Sequence, residues 1–353
     1  MPTHSTTTDV AIAILAALAG CVLSPLLARL ILFLAEDRSL KQPVGCQHCD
    51  QRLSWVASLR NRACSCGGRG GWWPSLLTVW TAGLLATFTW LYFHQHGEVV
   101  TEVRPTEAWF YGRYFAHAFL FLLLTIAIGT DLRNYTIADI LVLTGAIVGV
   151  GLATLSGDLQ VIHIWVDWND LYVDLHGPYL PEWMKNHPHL HGFAWSMTGL
   201  IAGAGITWLV RVIAQTLLQK PALGMGDVTL MAMIGSYAGW QPVTLILLLA
   251  PILAIIIGLL VWLTTRRTFV AYGPYLSLAT IIVLSTWRWI WNTDLRLVFG
   301  DAKSLLILTT VAGGALVVML IMLTLYGAIP VQGGDGEVLD ESDESRVADK
   351  RAS

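Results

Sequence analysis

Leu223-Gly224-Met225-Gly226-Asp227 stands at the head of an unbroken apolar run, residues 228–239, and its reading decides what kind of molecule this is. An ionisable side chain where a helix enters hydrocarbon is costly unless it is paired or used, so it defaults to a functional group. The two glycines let backbone approach closely, either to a neighbouring helix or to an extended substrate strand. Asp131 is in the same situation, after the apolar run 115–129. Either acid taken alone reads as a helix-end residue. Two carboxylates at two helix ends, far apart in sequence, are what acid–base hydrolysis of a peptide needs.

The rest of the chain supplies the setting. Of 353 residues, 55% are hydrophobic and only 13% charged, with a mean hydropathy of +0.61. Those values lie outside the soluble globular range and inside that of polytopic membrane proteins. The net charge of −3 comes from the tail after residue 332, which holds seven acids against three bases. The remainder is close to neutral, which excludes an electrostatic nucleic-acid binder. Many of the sixteen Trp lie near the ends of apolar runs, as an interfacial belt would place them.

Apolar runs at 10–35, 75–94, 115–129, 137–155, 193–218, 228–239, 243–263, 275–291 and 305–326 predict an all-α polytopic membrane protein with about eight or nine transmembrane helices. The run 228–239 is short for a span. The first run has no basic segment before it and no small-residue cleavage site, and reads as a retained helix. Residues 1–35 form that first span, 36–72 a polar basic loop, 73–330 the membrane core and 331–353 a disordered acidic tail. The stretch 156–192 reads as an insertion on the outer surface; its His163, His176, His187, His189 and His191 lack the regularity of a metal site on one helix face. With the N-terminus outside, the inner segments hold twelve Lys and Arg against six outside, the tail apart. Asp131, Asp227 and the loop 36–72 then face one side, the cytosol.

That loop contains Cys46, Cys49, Cys64 and Cys66. Four thiolates at C-x2-C and C-x-C spacing suit a structural, tetrahedral zinc site in a reducing compartment; two disulfides are the competing reading. Cys21, inside the first run, reads as a small apolar residue.

Three patches resemble the prepilin peptidases, the type IV leader peptidases of the Gly-x-Gly-Asp membrane aspartic protease class. Asp131 through Asp139 resembles the segment that opens on the first catalytic Asp. Gly224, Gly226 and Asp227, with Gly235 and Gly239 beyond, match the second catalytic motif. Tyr272-Gly273-Pro274-Tyr275 resembles the family's Phe-Gly-Pro-Tyr segment. The cysteine loop lies where bacterial members carry four cysteines. Ala138 stands where the family usually has Pro, and Thr229 where a Lys is common.

The resemblance implies catalytic Asp131 and Asp227, with Gly224, Gly226, Asp139, Gly273 and Pro274 near the substrate. It implies a multi-pass protein of the bacterial inner membrane that cleaves type IV prepilins or type II secretion pseudopilins after a Gly. It also implies a second activity, N-methylation with S-adenosylmethionine. The first span, Gly20-Cys21-Val22-Leu23-Ser24-Pro25, departs from the motif linked to that methylation. The competing class is a transporter or channel using the Asp pair as a proton or cation relay.

Overall fold

The computed structural model describes residues 6–36, 73–165, 181–218, 223–265, 271–293, 295–310 and 313–314. Among them the regular structure is helical, and no strand occurs. In chain order the helices are α1 (Thr6–Glu36), α2 (Trp73–Phe93), α3 (Glu107–Asn134), α4 (Asp139–Ser156) and α5 (Glu182–Asn186). They continue as α6 (Pro188–Leu218), α7 (Met225–Ala238), α8 (Trp240–Thr265), α9 (Gly273–Ser285), α10 (Trp287–Trp291) and α11 (Leu295–Gly300).

Six helices among the described residues, α1, α2, α3, α4, α6 and α8, are long and apolar enough to cross a membrane. The expectation of eight or nine spans parts from the structure at two runs, and a third run is described only in part. The run 228–239 became α7, whose 14 residues reach about 21 Å, short of the ~30 Å hydrocarbon core. The run 275–291 is broken at Thr286 into α9 and α10. The run 305–326 is helical through residue 310, and most of the remainder falls outside the described residues. Cys46, Cys49, Cys64, Cys66 and the acidic tail also lie outside them.

Lipid-facing and buried helices separate clearly. In α1, α6 and α8 large apolar side chains such as Leu15, Val22, Ile201, Trp208, Ile255 and Leu260 are exposed, as a bilayer-facing surface requires. The first-turn Asp227 of α7 is buried, as are Leu230, Met231, Met233, Ile234 and Tyr237. A helix apolar on all sides belongs in the middle of a bundle. Helix α3 shares the middle, with Leu120, Phe121 and Leu124 fully buried. The two acids singled out in the sequence are therefore both carried by helices with many buried residues.

Backbone proximity seats α7. A methyl group added at Gly235 would strike the carbonyl of Gly199 on α6, and one at Gly199 would strike the carbonyl of Gly235. Gly203 sits in the same way against the Met231 carbonyl. This is the small-residue contact by which helices approach where no hydrophobic force between them exists. On the facing side the Tyr237 hydroxyl donates to the Gly145 carbonyl of α4 at 3.0 Å.

Part of the expected surface insertion is built into the bundle instead. Val161 and Ile162 are fully buried. The guanidinium of buried Arg113 donates to the carbonyls of Asp158 at 3.2 Å and Gln160 at 2.7 Å. The Trp240 indole donates to the Ile164 carbonyl at 2.6 Å. His163 and His191 lie with ring centroids 5.3 Å apart. No group of three or more His, Cys, Asp or Glu among the described residues is placed to hold a metal ion.

Candidate active site

Helix α3 is stopped just beyond Asp131. Tyr135 adopts the left-handed conformation, φ 54°, and its N–H donates to the Asp131 carbonyl at 2.9 Å. That termination is a common way to close a helix, although glycine usually supplies the residue. The chain turns through residues 136–138 and enters α4 at Asp139. Asp131 is thereby held at the end of a central helix and is only 6% exposed.

Asp227 sits in the first turn of α7, 8% exposed. Its Oδ2 accepts the Gly224 N–H at 3.2 Å, which is half of a capping box. The simplest structural account of this acid, a helix cap, is thus satisfied by one of its two oxygens. The Asp131 Oδ2 accepts the Gly273 N–H, at the start of α9, at 3.1 Å. Among the described residues each carboxyl has this one backbone donor and keeps its second oxygen for other use.

Three helix ends meet here. Ile137, in the turn after α3, packs against the place where a side chain at Gly226 would begin, with its Cβ 3.3 Å from it. The same isoleucine's Cδ1 lies 3.2 Å from the corresponding place at Gly273. A methyl at Gly273 would come within 2.6 Å of the Asp131 Oδ2. The lack of a side chain at Gly273 is what allows the α9 N-terminus to reach the carboxyl.

The electrostatics show that the two acids sense each other. Asp227 lies outside the six long spans. Burial pushes its carboxyl up to about 7, and the negative charge of Asp131 adds to that shift. The Gly224 N–H opposes it. A carboxyl raised this far holds its proton near neutrality, which is the condition for one member of a pair to act as an acid while the other acts as a base. Pro274 follows Gly273 as the second residue of α9, where its missing N–H costs nothing. Asp139 is exposed in the first turn of α4 and takes part in neither carboxyl's hydrogen bond; its position favours a helix-end charge. Gly224 is exposed and Gly226 half-buried beside the pair.

Tyr272 was not singled out from the sequence as a site residue. Burial, with the charge of Asp227 next, holds its phenol far above the usual range, so it is a neutral hydroxyl at the edge of the pair. Its place immediately before Gly273 was the only available signal.

Comparison with known proteins gives matches of one description. Residues 183–259 match the type IV leader peptidase family. The prepilin leader peptidase/N-methyltransferase of Escherichia coli (strain K12) is 37% identical over 94 residues, 26% of this chain and 42% of that protein. The protein of the same description from Aeromonas salmonicida (strain A449) is 30% identical over 135 residues, 36% of this chain and 43% of that protein. A longer match, to the protein of that description from Dickeya chrysanthemi, is 24% identical over 253 residues and covers 67% of this chain and 71% of that protein. The chain thus spans about two fifths of the length of the first two relatives. No solved structure matches. The segment similar to the type IV leader peptidase family, residues 183–259, is the one that carries Asp227.

Proposed function

We propose that this protein is a membrane aspartic endopeptidase that removes the leader of type IV prepilins or type II secretion pseudopilins. The observation that carries the reading is the buried Asp131–Asp227 arrangement, in which each acid is held by one backbone N–H and the charge of one opposes ionisation of the other. Asp227 holds the shared proton. Asp131, ionised, takes a proton from a water as that water attacks the scissile carbonyl. Asp227 donates a hydrogen bond to the carbonyl oxygen and later delivers its proton to the leaving amine. Gly224 and Gly226 give room for an extended substrate backbone beside the pair.

The relay reading is not favoured by any observation, since both acids end helices at one place rather than lining a path through the bundle. A bacterial inner-membrane location follows from the proposed substrates. Zinc on Cys46, Cys49, Cys64 and Cys66 rests on spacing alone and would be structural; metal analysis of the purified protein, wild type against Cys46→Ser, tests it. N-methylation with S-adenosylmethionine is proposed on the relatives' description, and mass spectrometry of the trimmed product tests it.

The central test is cleavage of a prepilin-like peptide by membranes containing Asp131→Asn or Asp227→Asn. Loss of a general acid or base lowers the rate by about 10²–10⁴-fold, so both variants should fall at least that far. Normal trimming by either would overturn the dyad.

A further inference from the structure

The elements that meet at the acids are joined a second time, well away from the acids. Helix α3 carries Asp131 and, 14 residues earlier, His117. Helix α7 carries Asp227 and, ten residues later, Tyr237. Helix α7 stops where Gly239 turns to φ 79°, which leaves its last carbonyls without intrahelical partners. Side chains of other helices take two of them. The Ser196 hydroxyl of α6 donates to the Ser236 carbonyl at 2.7 Å. The His117 Nε2 stands 3.3 Å from the Tyr237 carbonyl.

The other ring nitrogen of His117 lies 2.7 Å from Glu98 Oε2. The two side chains are 2% and 0% exposed. Glu98 belongs to the segment between α2 and α3, and its neighbour Gly97 is fixed in turn. The Gly97 carbonyl accepts the Arg288 N–H at 2.6 Å, just beyond α9. Glu98 and His117 therefore link α3, α7 and the far end of α9. These are the three helices that supply Asp131, Asp227 and Gly273.

Hydrogen-bond arithmetic fixes the protons of this link. A carbonyl only accepts, so Nε2 must carry hydrogen to bond Tyr237. The Nδ1–Oε2 contact then needs a second proton, on either the ring or the carboxyl. The pair is net neutral in both cases, which is the form in which two ionisable groups are least costly to bury.

We propose that Glu98 and His117 are positioning residues for the Asp131–Asp227 pair. They touch no reacting atom. They set the register of α7 against α3 and α9, and through it the separation of the two carboxyls. The inference rests on the peptidase reading, and a misplacement of about 1 Å at a catalytic pair can cost on the order of 10²-fold.

The test compares His117→Leu, Glu98→Leu and Glu98→Gln in the full-length protein, reconstituted in vesicles and corrected for the folded fraction. A glutamine amide can donate to Nδ1 while Nε2–H still bonds Tyr237, so Glu98→Gln keeps the link. Expected are kcat losses of at least about tenfold for both leucine variants with KM little changed, and near wild-type kcat for Glu98→Gln. A role confined to stability would lower the amount of folded protein and leave kcat per folded molecule intact. Wild-type kcat in His117→Leu, or equal damage from Glu98→Gln and Glu98→Leu, overturns the proposal. Should His117→Leu not fold, the two Glu98 variants decide. A second arm is independent of activity: spin labels on unnatural residues at exposed Leu132 and Met225 report the spacing of α3 and α7. It should shift or broaden in the leucine variants and stay as in wild type in Glu98→Gln; an unchanged distribution in the leucine variants also overturns the link. A silent wild type would sink the peptidase reading alone, because this arm still reads the positions.

Discussion

Asp131 and Gly273 are matched to each other at the level of single atoms. The carboxyl accepts the Gly273 N–H at 3.1 Å, and a Cβ on that glycine would stand 2.6 Å from the same oxygen. Gly273→Ala should therefore fold, because only side-chain ends, the Asp131 carboxyl and the tip of Ile137, need to move, but displace Asp131 from its partner. A fall in kcat/KM of about 10²-fold is expected, measured on a prepilin-like peptide. Equal cleavage by the alanine variant would show that Asp131 does not work from this position. Asp227 gives a prediction of a different kind. Its carboxyl is raised to about 7, first by burial and then by Asp131. The stability carried by the protonated carboxyl is fully present below the unfolded-state value of about 3.9, where both states hold the proton, and is lost as pH rises through about 7, because between those values folding takes up a proton. The unfolding midpoint should therefore drop between about pH 4 and pH 7. Asp227→Asn should flatten that drop. The same loss of the shared proton should lower kcat on the alkaline side. A midpoint rising over this interval would contradict the assignment of the proton to Asp227.

At the scale of helices, the contact of α6 with α7 is a contact of backbones. Gly235→Ala places a methyl against the Gly199 carbonyl, which cannot swing aside as a side chain would. A cost of about 1–3 kcal/mol is expected, from overpacking. Gly205, on the same helix α6, has nothing within 4 Å of an added methyl. There, Gly205→Ala should be neutral or stabilising by roughly 0.5–1 kcal/mol, the helix-propensity gain. Thermal unfolding in detergent separates the two, and equal effects would mean that α6 and α7 do not meet through these glycines. This contact also shows what the sequence could and could not disclose. Hydropathy located α1, α2, α4, α6 and α8 nearly to their ends, because a lipid-facing helix must be apolar along its length. It could not separate α7 from a true span, since a helix enclosed by protein and one enclosed by lipid are equally apolar. It likewise joined α9 and α10 across Thr286, where the break involves no polar run. Asp131, Asp227 and Gly273 were legible because acids and glycines are conspicuous in apolar sequence. Glu98 and His117 were not, since their partnership depends on how three helices pack. Val161 and Ile162 were read as part of a surface loop for the same reason.

For the molecule as a whole, the acid-bearing end is tethered to the described residues on either side of the cysteine-containing segment. The Asn134 amide donates to the Ala35 carbonyl near the end of α1. The Arg133 guanidinium lies over the Trp73 ring at the start of α2, 4.3 Å from its centroid. Both flanks of residues 37–72 are thus fixed within a few residues of Asp131, whatever conformation the segment between them adopts. The basic residues Arg133 and Arg211 belong to the same end, Arg211 through its contact with Met225. The short helix α5 belongs to the opposite end, where Met184 and Lys185 share a cavity wall of about 420 Å³ with Thr106 and Trp109 at the start of α3. The excess of Lys and Arg leads us to propose that the acid-bearing end faces the cytosol. A membrane-impermeant thiol reagent should then reach Cys46, Cys49, Cys64 and Cys66 in inside-out vesicles after chelation or reduction, and miss them in intact cells. A Lys185→Cys variant should show the reverse. Labelling of both sets from one side would break the topology, and with it the proposed cytosolic position of the Asp pair.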